Sequence, residues 1–139
     1  MASESALDHS LPPETILFVE DEPLVRMDMA EFLRQCGYRV HEAADALEAI
    51  EALQAKFVID LVFTDINLPK EMNGVQLGEW VLANRPGVKV VLATGGATTV
   101  DPRSSFGPIL AKPYTGRDLL ERVRQALARR QGGDEEQES

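Results

Sequence analysis

Glu20 and Asp21 close the apolar run TILFV, Asp65 closes LVFT, Thr94 closes KVVLA, and Lys112 follows ILA. Each polar group stands directly behind a short run of strand-forming residues. Two adjacent carboxylates and a third from a neighbouring strand make an oxygen-rich site of the kind Mg²⁺ takes, with one or two carboxylates bound directly and several waters kept. A carboxylate beside such a cation is a ready nucleophile. Attack on phosphorus needs little beyond alignment and neutralisation of three equatorial oxygens, and Mg²⁺, the Lys112 ammonium, the Thr94 hydroxyl and backbone amides have the means. Singly, each residue has an ordinary reading. Glu20, Asp21 and Glu22 make a solvated corner that favours a helix dipole, Asp65 a turn, Thr94 a loop cap and Lys112 a surface lysine. The combination is what points to chemistry.

For these groups to meet, the runs before them must be neighbouring strands. Thr15–Glu20 reads as the first; after Pro23, Val25, Met29, Phe32, Leu33 and Cys36 follow helical spacing up to Gly37. Tyr38–His41 is the second strand, and Asp45 with Glu48 resembles a capping box opening a helix whose face carries Leu47, Ile50 and Leu53. Leu61–Thr64 is the third strand, followed by a helix lined by Gly74, Leu77, Gly78, Val81 and Leu82; Lys89–Ala93 is the fourth. The segment 95–107 is rich in glycine and predicts only a weak fourth helix. Ile109–Ala111 is the fifth strand, and a last helix from Thr115 buries Leu119, Val123, Ala126 and Leu127. Strict alternation with strands too apolar to face water predicts an α/β fold, a doubly wound five-stranded parallel sheet with helices on both faces. Ligands of such sheets sit outside the carboxyl ends of the strands, where the winding reverses.

Composition narrows the partners. With 14 Lys+Arg against 23 Asp+Glu the net charge is −9, which disfavours a nucleic-acid backbone or an anionic membrane as partner. The segments 1–13 and 131–139 contribute six of those charges and little apolar surface, so they read as disordered tails around a domain at 14–130. The lone Cys36 forms no internal bridge, no apolar run has the length of a membrane span, and the first residues lack a secretory pattern. The expected location is the cytoplasm.

The motifs FVEDE, LVFTDINLP, LATGG and LAKPY, spread over 14–130, resemble the receiver domains of two-component response regulators. The resemblance implies a flavodoxin-like strand order 2-1-3-4-5. It also implies that Asp65 is the phosphoryl acceptor, that Glu20 and Asp21 hold Mg²⁺ with Asp65 and the backbone carbonyl of Asn67, and that Thr94 and Lys112 bind phosphoryl oxygens. The bond before Pro113 is expected to be cis. The phosphoryl donor would be a histidine kinase or a phosphotransfer protein, and an altered surface would then meet a downstream protein. Transfer and dephosphorylation would be autocatalysed, so the domain would not be an enzyme acting on a separate substrate.

Two details suggest a subgroup. The stretch from Asp65 to Gly74 is one residue longer than is common in receivers, and Ala93-Thr94-Gly95-Gly96 resembles stand-alone receivers of the FAT GUY type, partners of HWE-type kinases. Leu92 and Ala97 replace the Phe and Tyr of that motif. Ile109 stands where most receivers carry an aromatic residue, so the usual threonine–aromatic switch cannot run unchanged; an order–disorder change over 95–107 is expected instead. With nine residues after residue 130, no output domain is expected.

Two other classes share part of this residue set. A haloacid-dehalogenase-like phosphohydrolase would share the Mg²⁺ and the aspartate but wants an acid/base Asp two residues on, where Asn67 stands. A phosphorylation-independent binding module would not require the acceptor set. His9 and His41 lack ligand-spaced partners, Cys36 reads as a small buried hydrophobe, and Trp80 as a partly exposed flank of its helix. Arg117, Arg122, Arg124, Arg129 and Arg130 read as a solvated face, with a docking surface as the sharper alternative.

Overall fold

Five short strands pair in parallel: β1 (Thr15–Val19), β2 (Arg39–Ala43), β3 (Leu61–Asp65), β4 (Lys89–Thr94) and β5 (Leu110–Ala111). The computed structural model describes residues 13–55, 58–96 and 106–138. The sheet order is β2-β1-β3-β4-β5, as expected, so the winding reverses between β1 and β3 and places Glu20 and Asp65 at the switch point. The described helices are α1 (Pro23–Gln35), α2 (Ala46–Gln54), α3 (Gly74–Asn84) and α4 (Gly116–Glu138).

Strand side chains alternate between faces, and both faces are apolar here, so each strand feeds two cores. Ile16, Phe18, Leu61, Phe63 and Val91 pack with Ala30 and Leu33 of α1 and Leu119 and Val123 of α4. Leu17, Val19, Val62 and Leu92 pack on the other face with Ala49 and Leu53 of α2 and Leu77 and Val81 of α3. The register opposes Phe18 to Phe63, and their rings stack with centroids 4.6 Å apart. That stack lies just before the two acid-bearing strand ends, whose spacing the parallel ladder between β1 and β3 sets.

Helix ends follow local chemistry. Gly37, at φ 105°, stops α1. Asp45 caps α2 by accepting from the Glu48 amide at 2.9 Å, and Glu48 accepts in turn from the Ala44 amide. Asn73 and Gln76 form a reciprocal capping box on α3, and Thr115 and Asp118 pair likewise at α4.

The structure departs from the sequence reading in several places. Leu47 is 62 % exposed, because α2 buries the face of Ala46, Ala49 and Leu53 instead. Arg122 is buried, not solvated: its guanidinium donates to the carbonyls of Pro108 (3.1 Å) and Phe106 (3.4 Å), main-chain acceptors outside any strand or helix. Cys36 is half-buried rather than buried. α4 runs on to Glu138 through a segment whose composition suggested a disordered tail, with the helix formers Glu and Gln continuing it past Gly132 and Gly133. Residues 1–12 of the expected amino-terminal tail and 97–105 of the expected weak helix and switch lie outside the described residues. Among the described residues no helix is long and apolar enough to cross a membrane.

Candidate functional site

Glu20, Asp21 and Asp65 each turn a carboxylate oxygen inward at the carboxyl edge of the sheet, all within 4.8 Å of one another. Glu20 is only 1 % exposed, Asp65 is buried, and Asp21 is open to solvent. The Lys112 ammonium bridges the two buried acids, 2.8 Å from Asp65 Oδ2 and 3.2 Å from Glu20 Oε1. It arrives there because Lys112 follows β5 directly and its amide donates to the Thr94 carbonyl at 2.8 Å. The next peptide bond, Lys112–Pro113, is cis as expected.

The acids have further anchors. The Glu22 amide donates to Glu20 Oε2 at 3.0 Å, and Arg26 donates to the Glu20 carbonyl at 2.8 Å while pairing with Glu42. The Asn67 amide approaches Asp65 Oδ1 at 3.3 Å. Gly74 presses so closely on the strand end that a β-carbon there would lie 2.2 Å from the Asp65 carbonyl oxygen. Thr94 is buried at the end of β4, and its hydroxyl is engaged with the Gly96 main chain at 3.3–3.4 Å.

Electrostatics follow from this packing. Burial pushes the Glu20 carboxyl above its ordinary range, a rise that the Glu22 amide and Lys112 oppose and that Asp65 reinforces. Partial burial pulls the Lys112 ammonium down, but its hydrogen bonds and attraction to Asp65 and Glu20 outweigh this and the net shift is upward. The cluster therefore holds excess negative charge against one cation. Its donors are hard oxygens, which fit Mg²⁺ and not a thiolate- or imidazole-seeking metal.

Tyr114 stands beside the site with its ring edge-on to Phe63 at 5.8 Å. Burial, followed by the charges of Glu20 and Asp65, drives its hydroxyl strongly upward, and the buried oxygen has no hydrogen-bond partner among the described residues. An unsatisfied buried hydroxyl is costly, so Tyr114→Phe is expected to stabilise the fold by about 1 kcal/mol in chemical denaturation. A loss of stability would show that the hydroxyl is hydrogen-bonded in solution.

Residues 16–124 match the family model for the response regulator receiver domain. The chain belongs to that family. The receiver is 31% identical to the response regulator receiver protein CpdR of Brucella abortus, over 81% of this chain and 95% of that protein. It superposes on a CheY-like receiver domain protein from Methanospirillum hungatei with a TM-score of 0.76 and 31% identity, covering 87% of this chain and 98% of the other. A similar fold, at a TM-score of 0.69 and 26% identity over 82% of this chain and 99% of the other, is that of response regulator TrrA from Thermotoga maritima in complex with Mg²⁺-BeF. Other curated relatives, to which the receiver is 34% identical, are longer, and it spans 12 to 58% of their length.

The receiver's edge thus gathers the strand-end residues picked out in the sequence. Arg26 and Gly74, which fix Glu20 and Asp65 through the main chain, and the Lys70–Asp45 pair flanking the site were not picked out as site residues. Only the Asp65-to-Gly74 spacing carried a signal for any of them.

Proposed function

We propose that this receiver accepts a phosphoryl group from the phospho-histidine of a histidine kinase or phosphotransfer protein onto Asp65. The observation that carries the reading is the bridging of Asp65 and Glu20 by Lys112 within a three-carboxylate cluster. Glu20, Asp21, Asp65 and the Asn67 carbonyl would hold Mg²⁺, which when bound neutralises phosphoryl oxygens. An Asp65 oxygen attacks phosphorus, the phosphorus–nitrogen bond breaks, and its electron pair stays on the departing imidazole. Lys112 then follows the new phosphoryl oxygens instead of the carboxylate, and the Thr94 hydroxyl turns from Gly96 to donate to another. The changed surface meets a downstream protein. An HWE-type kinase is the partner suggested by the strand-four motif.

Incubation with Mg²⁺ and acetyl phosphate, read by intact mass, is expected to add one phosphoryl group to the wild type and none to Asp65→Asn. Equal gain in both would overturn the assignment. Sustained turnover of phosphate esters would favour a phosphohydrolase instead.

A further inference from the structure

The loop between β3 and α3 carries Asn67 and is closed at its base, where the Gly74 amide donates to the Ile66 carbonyl at 2.8 Å. Its tip is Lys70, the one non-glycine residue with positive φ (70°) among the described residues. A lysine in the left-handed region is strained, and nothing about its stem repays that, since the side chain is 69 % exposed. Its ammonium does: it lies 2.8 Å from Asp45 Oδ2. Asp45 is itself fixed, buried and capping α2 through its other oxygen. Asp45 and Lys70 also line a groove of about 490 Å³ with Leu47, Ile50, Pro69 and Met72. On either side of the tip Leu68 and Met72 are half-buried against the core, so apolar contact holds the flanks of the loop and the ion pair holds its tip.

We propose that Lys70 is a positioning residue. By pinning the extended β3–α3 loop to the amino terminus of α2 it holds Asn67 in place beside Asp65, and so sets the divalent-cation affinity of the Glu20–Asp21–Asp65 cluster. This rests on the metal-binding reading above. The one-residue extension supplies the reach, and the pair converts a longer, looser loop into a fixed support, as outer-sphere contacts do at other metal sites.

The test compares Lys70→Gly with Lys70→Arg in the full chain, with wild type and Asp65→Asn as references. Glycine removes the ammonium but is at ease at φ 70°, so its denaturation midpoint is expected to match wild type; arginine keeps the pair. Calorimetric Mg²⁺ titration should show affinity weakened on the order of tenfold in Lys70→Gly and kept within about twofold in Lys70→Arg. Amide relaxation without metal should show lost order at Asn67 in Lys70→Gly alone. Wild-type affinity or unchanged order at Asn67 in Lys70→Gly overturns the latch while leaving the metal site standing. Absence of Mg²⁺ binding by the wild type itself overturns both.

Discussion

Gly74→Ala is expected to destabilise the receiver by about 3 kcal/mol or more, and to abolish phosphoryl acceptance even in molecules that fold. The added methyl would meet the Asp65 carbonyl oxygen at 2.2 Å and the Asp65 carbonyl carbon and Ile66 Cα at 2.8 Å. All three are main chain of a buried strand end, so no side chain can swing aside, and the strand or α3 must move. Movement of the strand end carries Asp65 away from the Lys112 ammonium, and movement of α3 drags the loop that carries Asn67. Two other glycines separate this cause from a general intolerance. A β-carbon at Gly78 would meet the Phe106 ring at 2.7 Å, a flexible group that can yield in part. One at Gly37 would meet nothing within 4 Å and only the strain of φ 105°, for a cost of about 1 kcal/mol. Urea unfolding of the three variants should rank Gly74→Ala worst by a clear margin; equal losses at Gly74 and Gly37 would show that contact with Asp65 is not what the glycine serves.

The doubly wound sheet was readable because each strand is a short apolar run with a polar stop, and because parallel strands buried on both faces need no alternation to be recognised. At Leu47 of α2 the pattern misleads for a related reason. Its buried face is mostly alanine, and a reading that weights large residues assigns the stripe to the leucine beside it. Arg122 marks the other limit. It lies three positions from Leu119 on the buried side of α4, where its charge argued for solvent, yet its hydrogen-bond partners are carbonyls at Phe106 and Pro108, set by tertiary placement alone.

The site divides along the same line. Glu20, Asp21, Asp65, Thr94 and Lys112 were visible since topology alone brings strand ends together. Arg26 and Lys70 were not, because what they do depends on distances across the fold: Arg26 reaches back from α1 to the Glu20 carbonyl, and Lys70 crosses 25 residues of sequence to Asp45. The extra residue between Asp65 and Gly74 is legible in the sequence, but its use depends on the loop tip standing beside the cap of α2.

Lys112→Met is expected to cost about 2–3 kcal/mol at neutral pH without metal, less than for a fully buried pair because the lysine side chain is 28 % exposed. The loss comes from what remains: Glu20 and Asp65, buried, close and unneutralised. Its pH dependence has a definite sign. Burial already raises Glu20 above its reference of 4.5, and without Lys112 one opposing influence is gone, so the rise grows. An acid whose pKa is raised in the native state binds more protons folded than unfolded, so stability falls as pH climbs from about 4.5 through the raised native value. The wild-type lysine, raised above 10.5, keeps its own contribution up to that pH and loses it only beyond. The deficit of the variant should therefore be small near pH 4, full at pH 7, and shrink again only in strong alkali. Mg²⁺ narrows it. With the competing ammonium gone the cluster should bind the cation more tightly than wild type does, and since both proteins gain from the cation, each tenfold by which the variant binds it more tightly closes the gap by about 1.4 kcal/mol. Stability curves at pH 4 and 7, with and without Mg²⁺, decide the matter: a deficit independent of both would mean that Lys112 acts through packing and not through charge.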